Sequence, residues 1–283
     1  MYLLPNDVVV QIKEFIKQKL NDDTIKSKYP NPLLREDIFS ILDIYCTVVY
    51  FPLREDSING FHITGIVDSQ GSENTFVYIN TAQTIEKQIF TAAHELGHIW
   101  GVDIVISKGR EDAFLHEFGE KIINRFAAEL LMPEALFFAA CASVFEHYKE
   151  DKETITIPNV IKAITQLMTC FFVPYKAVVY RIFELKIISE NSALLLLGDA
   201  DISKEEIRKL VDRNLRDMGY INFLNPSHKC WIDGLAEILD KAEQKQSVSK
   251  TKIDNLRKLF SLSDNSQISE DLDKKLNISL EGD

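Results

Sequence analysis

The chain has 283 residues, of which 46% are hydrophobic, so it can bury a substantial core in one main domain with an accessory region. Its net charge of −11 argues against unaided binding to nucleic acid or to an anionic membrane. No segment has the features of a signal peptide or an apolar run long enough to span a bilayer, so we expect a cytoplasmic location.

The four cysteines are far apart in the sequence, and none forms a C-x-x-C pair. This spacing predicts reduced thiols, and it argues against a disulfide framework or a zinc knuckle. The residues concerned are Cys46, Cys141, Cys170 and Cys230.

Residues 5–20 form the first predicted element, an amphipathic helix whose apolar residues recur at steps of three and four. Two prolines follow in the connection after it. We therefore interpret residues 1–32 as a helical extension that packs on the core of the protein.

A helix and three strands are predicted between residues 33 and 80. The strands are residues 46–51, 60–67 and 75–80, which are rich in β-branched and aromatic side chains. Together they predict a small, mostly antiparallel sheet. His62 lies on the second strand, where it either has a structural role or reaches an adjoining cleft.

The next helix contains His94-Glu95-Leu96-Gly97-His98, an H-E-x-x-H motif. Histidines at positions i and i+4 lie on one face of a helix, where both can bind one metal ion while the glutamate acts as general base. Thr84 is the predicted N-cap, and Gly101 is the predicted C-terminal stop. The apolar stripe beside the histidines comprises Ile85, Ile89, Ala92, Leu96 and Trp100.

A catalytic zinc site has three protein ligands, so a third must come from elsewhere. A histidine three residues after Gly101 would complete a metzincin site, but Ile104 occupies that position. The remaining source is a predicted helix within residues 112–140, which Pro133 interrupts. On it, Glu120 shares a face with apolar residues, and His116 is the rival ligand.

Two other glutamates of this helix, Glu117 and Glu129, are predicted to lie on solvated faces.

Residues 151–198 show a helix-turn-helix spacing, but the second helix has few side chains suited to reading bases, which favours a packing module. Residues 199–283 predict an all-helical region with a partly disordered tail from Asp264. One helix of this region opens with a capping box formed by Ser203 and Glu206.

The segments FTAAHELGHIWG and EKIINRFAAELLMP, the second running from Glu120 to Pro133, resemble the ImmA/IrrE metallopeptidase family. The family shows an AHELGH segment followed by E-x-x-A-N-x-F-A-x-x-L-L-M-P. The sequence departs from this pattern at Ile123, where the family usually has alanine and where wider helix packing is expected. The likeness covers roughly half of the chain, from the FVYIN segment to about Ser189.

The resemblance implies an α+β, mainly helical fold, with a zincin-like core in residues 33–150 and the sheet packed on the H-E-x-x-H helix. It also implies that Glu120 is the third ligand, beside His94 and His98, of one Zn²⁺ per chain. Glu95 would then be the catalytic base. His62, His116 and Asn124 are candidates for contacts to the transition state or behind the metal ligands.

The same resemblance implies endopeptidase activity on a protein partner, a separately encoded helix-turn-helix repressor or regulator. In zincins an edge strand pairs with the extended substrate, and one of the three predicted strands is expected to do so here. The alternative is a zinc-binding regulatory or toxin–antitoxin component that acts by protein binding with little hydrolysis. The oligomeric state does not follow from the sequence.

Overall fold

The structure is a computed structural model that describes residues 3–31, 33–53, 58–67, 73–108, 115–149, 155–200 and 202–262, with only the backbone at residues 115 and 116. The predicted turn at residues 68–72, the His116 side chain and the tail from Asp264 therefore lie outside the described residues. Within them the protein is mainly helical, with one small sheet. This confirms the predicted fold class.

The N-terminal region is helical, and its apolar side chains pack on the core. Its main helix, α1 (Asn6–Leu20), buries Val8, Ile12 and Ile16 at one-turn spacing. The ring of Phe15 lies edge-on to that of Phe126, with centroids 6.5 Å apart. Two further helices, α2 (Asp23–Lys28) and α3 (Asp37–Tyr45), lead to the sheet.

Among the described residues, the sheet has four strands in the order β2-β3-β1-β4. They are β1 (Thr47–Phe51), β2 (Gly60–Val67), β3 (Glu73–Asn80) and β4 (Trp231–Ile232). Pairs β2–β3 and β1–β4 are antiparallel, whereas β1 and β3 are parallel, so the sheet is mixed. β4 comes from the C-terminal region, which was expected to be all-helical. Two residues are too few to show a strand period in the sequence.

The helix pair at the centre of the fold follows the sheet. It consists of α4 (Ile85–Ile99) and α6 (Leu115–Leu131), with the short α5 (Val102–Ser107) between them. α7 (Glu134–His147) begins directly after Pro133 at an angle of 66° to α6, so the proline ends one helix and starts the next. A proline cannot continue the backbone hydrogen bonding of a helix, which accounts for this break.

Six more α-helices follow in the described part of the chain: α8 (Ile157–Phe171), α9 (Tyr175–Glu184), α10 (Glu190–Leu196), α11 (Lys204–Asp217), α12 (Leu235–Gln244) and α13 (Lys250–Leu259). α8 and α9 meet at 102°, the geometry of a helix-turn-helix. Val178, Val179 and Ile182 of α9 are buried, as expected of a packing helix. The predicted capping box of Ser203 and Glu206 is present at the start of α11.

The prediction that Glu129 lies on a solvated face was wrong. Its side chain is 7% exposed, because Arg181 of α9 reaches that face of α6 and comes within 2.8 Å of the carboxylate. Arg125 and Glu184 complete a buried cluster of two cations and two anions. Glu117, by contrast, is exposed as predicted, and Lys121 pairs with it.

Among the residues that the structure describes, no single helix is long and apolar enough to cross a membrane. Two bent helix pairs, α6 with α7 and α8 with α9, are together long and apolar enough, but by length and composition only. All four cysteines are free thiols, as predicted, and Cys141 is fully buried.

Candidate metal centre

The two histidines of the motif lie one turn apart on α4. Thr84 precedes the first turn of the helix, and Gly101, with φ 65°, follows its end in the left-handed conformation that glycine adopts without strain. The apolar stripe fixes the rotation of α4, because Ile89, Ala92 and Leu96 are completely buried. The histidines lie beside this stripe, and their Nε2 atoms are 3.2 Å apart.

Glu120 of α6 completes a group of three potential ligands. One carboxylate oxygen lies 3.4 Å from Nε2 of His94, and the other lies 3.4 Å from Nε2 of His98. The Glu120 side chain is 38% exposed, so it borders an open cleft. His94, His98 and Glu120 are the one such group of three found among the described residues whose ligand atoms all lie within 4.8 Å of one another.

The three groups lie close enough together to share one metal ion. The two Nε2 atoms are 3.2 Å apart, close to the separation of roughly 3.3–3.4 Å between ligands that hold zinc at about 2.0–2.1 Å in tetrahedral geometry. Each nitrogen lies 3.4 Å from a different carboxylate oxygen of Glu120. Two imidazoles and one carboxylate are also a ligand set of catalytic zinc sites, in which the fourth position belongs to water or substrate.

Asn124, one turn after Glu120 on α6, holds the ring of His94. Its Oδ1 lies 3.2 Å from His94 Nδ1, so the ring donates there and presents an unprotonated Nε2 to the centre of the site. Burial, reinforced by the neighbouring His94, lowers the pKa of His98. A lowered pKa favours the neutral imidazole, which is the form that binds a metal.

Glu95 is buried beside the three ligands, with only 4% of its surface exposed. His62 of β2 is its partner: Nδ1 of the ring lies 2.9 Å from Oε2 of the carboxylate. This hydrogen bond raises the pKa of His62, although burial partly opposes it. The contact holds Glu95 in one orientation at the edge of the cleft, next to the ring of His98, whose centroid is 4.8 Å from that of His62.

Gly97 and Gly60 allow α4, α6 and β2 to come this close. The sequence alone did not predict this role for either glycine. A Cβ on Gly97 would lie 2.9 Å from Phe126 and 3.2 Å from Ile123, so its absence lets α6 approach α4. A Cβ on Gly60 would lie 2.4 Å from Thr91, so β2 could not reach its present distance from α4. A glycine inside a helix lowers the stability of the helix by about 1 kcal/mol relative to alanine. A glycine at position 97 of a predicted helix is therefore the sequence feature that could have indicated a close approach by another element.

The structure thus brings together six of the seven residues singled out from the sequence: His94, Glu95, His98, Glu120, Asn124 and His62. His116 is the exception, because its side chain lies outside the described residues. Ile123 is buried, and the three ligand atoms converge although it is larger than alanine.

The family model of the IrrE N-terminal-like domain, a peptidase family, matches residues 45–183, which include β1 to β3, the metal centre and all of α9 except its last residue. No curated protein matches the chain.

Proposed function

Residues 45–183 belong to the ImmA/IrrE peptidase family, and we propose that the chain is a zinc-dependent endopeptidase with Glu95 as its general base. One observation carries this proposal. The potential ligand atoms of two histidines and one glutamate lie within 4.8 Å of one another, directly beside a buried carboxylate that a histidine contacts. A structural zinc site would need four protein ligands and no such base.

His94, His98 and Glu120 would hold the zinc ion. Bound zinc supplies Lewis acidity, which lowers the pKa of water towards about 7 and polarises a peptide carbonyl. Glu95 removes a proton from the attacking water and later delivers it to the amine that leaves.

His62 is proposed to orient Glu95 and to stabilise the transition state. When the ring is protonated, Nδ1–H donates to Glu95, and Nε2–H is then the group that can donate to the negatively charged oxygen of the scissile bond. The raised pKa of His62 increases the protonated fraction near neutral pH. His62 is thereby a positioning residue for Glu95 and a candidate oxyanion donor.

The proposed substrate is a separately encoded helix-turn-helix repressor or regulator, and its cleavage would relieve repression. The support for this step is the family membership of residues 45–183 alone. β2, beside Glu95, is an edge strand of the sheet formed by the described residues, and its outer backbone groups can pair with an extended segment of such a partner.

The test co-expresses the chain with the helix-turn-helix protein encoded by a neighbouring gene and detects fragments by mass spectrometry. We expect wild type to bind one zinc per chain and to cut, and Glu95→Gln to bind the same zinc and give no fragments. Glu117→Gln, a change at an exposed carboxylate, is the matched control and should behave as wild type.

Three outcomes would overturn the assignment: full cleavage by Glu95→Gln, no zinc in the wild-type chain, or no fragments from the zinc-loaded chain. If Glu95→Gln relieves repression without producing fragments, the chain acts by binding. That result would support the alternative of a zinc-dependent binding component.

A further inference from the structure

The strand beside the metal centre is an edge of the sheet. In the order β2-β3-β1-β4, β2 pairs with β3 on one side only, whereas β4 of the C-terminal region covers the outer side of β1. The described part of the sheet therefore offers its long free edge at β2, and this edge carries His62.

The hydrogen-bonding phase of β2 follows from one contact. The Asn80 N–H donates to the Asn59 carbonyl at 2.9 Å, which makes these two residues a hydrogen-bonded pair in the antiparallel register. Such pairs alternate along the strands, so Phe61 and Ile63 also direct their backbone groups towards β3. Gly60 and His62 then direct their N–H and C=O groups to the free edge.

The side chains of β2 alternate between two faces. His62 points towards α4 and Glu95, whereas Phe61 and Ile63 lie on the opposite, outer face of the sheet. These two side chains are 42% and 46% exposed. Phe61 stacks on Tyr78 of β3 with ring centroids 5.0 Å apart, which holds it in place on that face.

The irregularity between Ile63 and Ile66 extends this outer apolar surface. Ile63 pairs with Phe76 and Ile66 with Asn74, so β2 uses one residue more than β3 over this stretch. The extra residue breaks the alternation, and Ile66, 43% exposed, returns to the face that carries Ile63. The exposed apolar surface of β2 comprises Phe61, Ile63 and Ile66.

A peptide strand on this edge has a fixed relation to both faces. The peptide residue that bonds to the backbone of His62 places its side chain on the face of α4 and the metal centre. Its two neighbours place theirs on the outer face, beside Phe61 and Ile63. We propose that the substrate segment is extended and carries β-branched or aromatic side chains at these two alternate positions, which Phe61 and Ile63 select. This inference rests on the proposed peptidase function.

The experiment uses the zinc-loaded full chain and a library of synthetic decapeptides with randomised central positions, and it sequences the cleavage products. We expect enrichment of valine, isoleucine, phenylalanine and tyrosine at two positions separated by one residue. The two cross-strand pairs together should give these apolar residues a preference of about threefold to tenfold over serine.

The double variant Phe61→Ser/Ile63→Ser should reduce the ratio of apolar to polar peptides cut to below about twofold. Phe138→Ser on α7 removes an apolar side chain of similar exposure, 57%, and should leave the ratio unchanged. A wild-type profile without the alternation, or an unchanged ratio in the double variant, would overturn the inference.

A second arm separates this inference from the proposed function. If the wild-type chain cuts no peptide, the peptidase proposal fails, and binding is measured instead. Fluorescence anisotropy with labelled decapeptides on Glu95→Gln then decides the strand preference. Apolar peptides should bind more tightly than their serine counterparts, and Phe61→Ser/Ile63→Ser in this background should abolish the difference; equal binding would exclude the inference.

Discussion

The two ends of α6 carry carboxylates in opposite situations. Glu120 and Glu129 are nine residues apart, so they lie on opposite faces of the helix, about 180° from each other. Glu120 is 38% exposed and faces two histidines across a cleft, whereas Glu129 is 7% exposed and lies 3.1 Å from Arg125 and 2.8 Å from Arg181. One carboxylate is placed for an exchangeable cation, and the other is neutralised by cations that belong to the chain.

The buried end of α6 is held by α9. Arg181 of α9 is fully buried, and its Nε and Nη2 donate to the carbonyl of Met132 at the end of α6. Burial raises the pKa of Glu184 and lowers that of Arg181, and the opposite charges of the cluster counteract both shifts. These contacts anchor the C-terminal end of α6 to α9, on the helix face opposite to Glu120.

The largest effect is expected from Glu120→Ala. It removes a residue that binds the metal directly. Loss of a residue that only hydrogen-bonds to a metal ligand lowers metal affinity by roughly 10- to 100-fold, and the loss of zinc affinity here should be larger. The fold should persist, because the side chain is partly exposed and contributes little to the core. Metal analysis after dialysis, with circular dichroism as a check on folding, measures both effects.

Glu117→Ala is the matched control for Glu120→Ala. It removes a carboxylate one turn earlier on the same helix, where the side chain is 72% exposed. Zinc content should equal that of wild type. Retention of stoichiometric zinc by Glu120→Ala would show that the third ligand is a different residue.

Glu129→Ala should have the reverse phenotype. It leaves Arg181 buried without its nearest anion, and removing one partner of a buried ion pair costs about 3–5 kcal/mol. Urea unfolding of the metal-free chain should show a large loss of stability, while the fraction that remains folded keeps its zinc site.

The control for Glu129→Ala is Glu205→Ala, which breaks an exposed pair with Lys209 on α11 and should change the midpoint little. Equal midpoints for Glu129→Ala and wild type would mean that the buried cluster does not anchor α6. Loss of zinc without loss of stability would contradict the distinction between the two ends of the helix.

The same pair of residues shows what the sequence could reveal. Glu120 was predictable, because helical periodicity put it beside Ile123 and the resemblance assigned it a ligand role. Glu129 was not, because its surroundings depend on how α9 packs on α6, and periodicity within α6 carries no information about a distant helix. Arg181 is the missing partner, and nothing local to it distinguishes a buried arginine from an exposed one.

Short elements and close approaches between elements could not be predicted from the sequence for a related reason. β4 has two residues, and its pairing with β1 joins positions about 180 residues apart, so no local pattern could announce it. The longer strands β2 and β3 were found because their β-branched and aromatic residues fill whole strands. The neighbours of Gly60 and Gly97 come from other elements, so their function required the three-dimensional arrangement.

Asn124→Ala tests how finely the open end of α6 is organised. Without its acceptor, the ring of His94 can rotate or present the wrong nitrogen, so zinc affinity should fall by about 10-fold. The lower end of the usual range applies, because Asn124 is exposed and water can replace part of the contact. Competition with a fluorescent chelator measures the change.

Asn124→Asp is the control, since it keeps an oxygen acceptor at the same place and should retain most of the affinity. An affinity of Asn124→Ala equal to that of wild type would show that the contact to His94 does not organise the site.

Gly97→Ala is expected to have the smallest effect, and its sign carries the information. Alanine favours a helix over glycine by about 1 kcal/mol, but the new Cβ would lie 2.9 Å from the ring of Phe126, and overpacking costs about 1–3 kcal/mol. The net result should be a loss of stability together with weaker zinc binding, because α6 moves away with Glu120.

Gly119→Ala is the control. Its new Cβ, on α6 itself, would meet only Asp103 at 3.5 Å, so this variant should be neutral or stabilising. Opposite signs in thermal unfolding would locate the constraint at the contact between α4 and α6. A stabilising Gly97→Ala with unchanged zinc affinity would show that this contact has room to spare and that the ligand spacing does not depend on it.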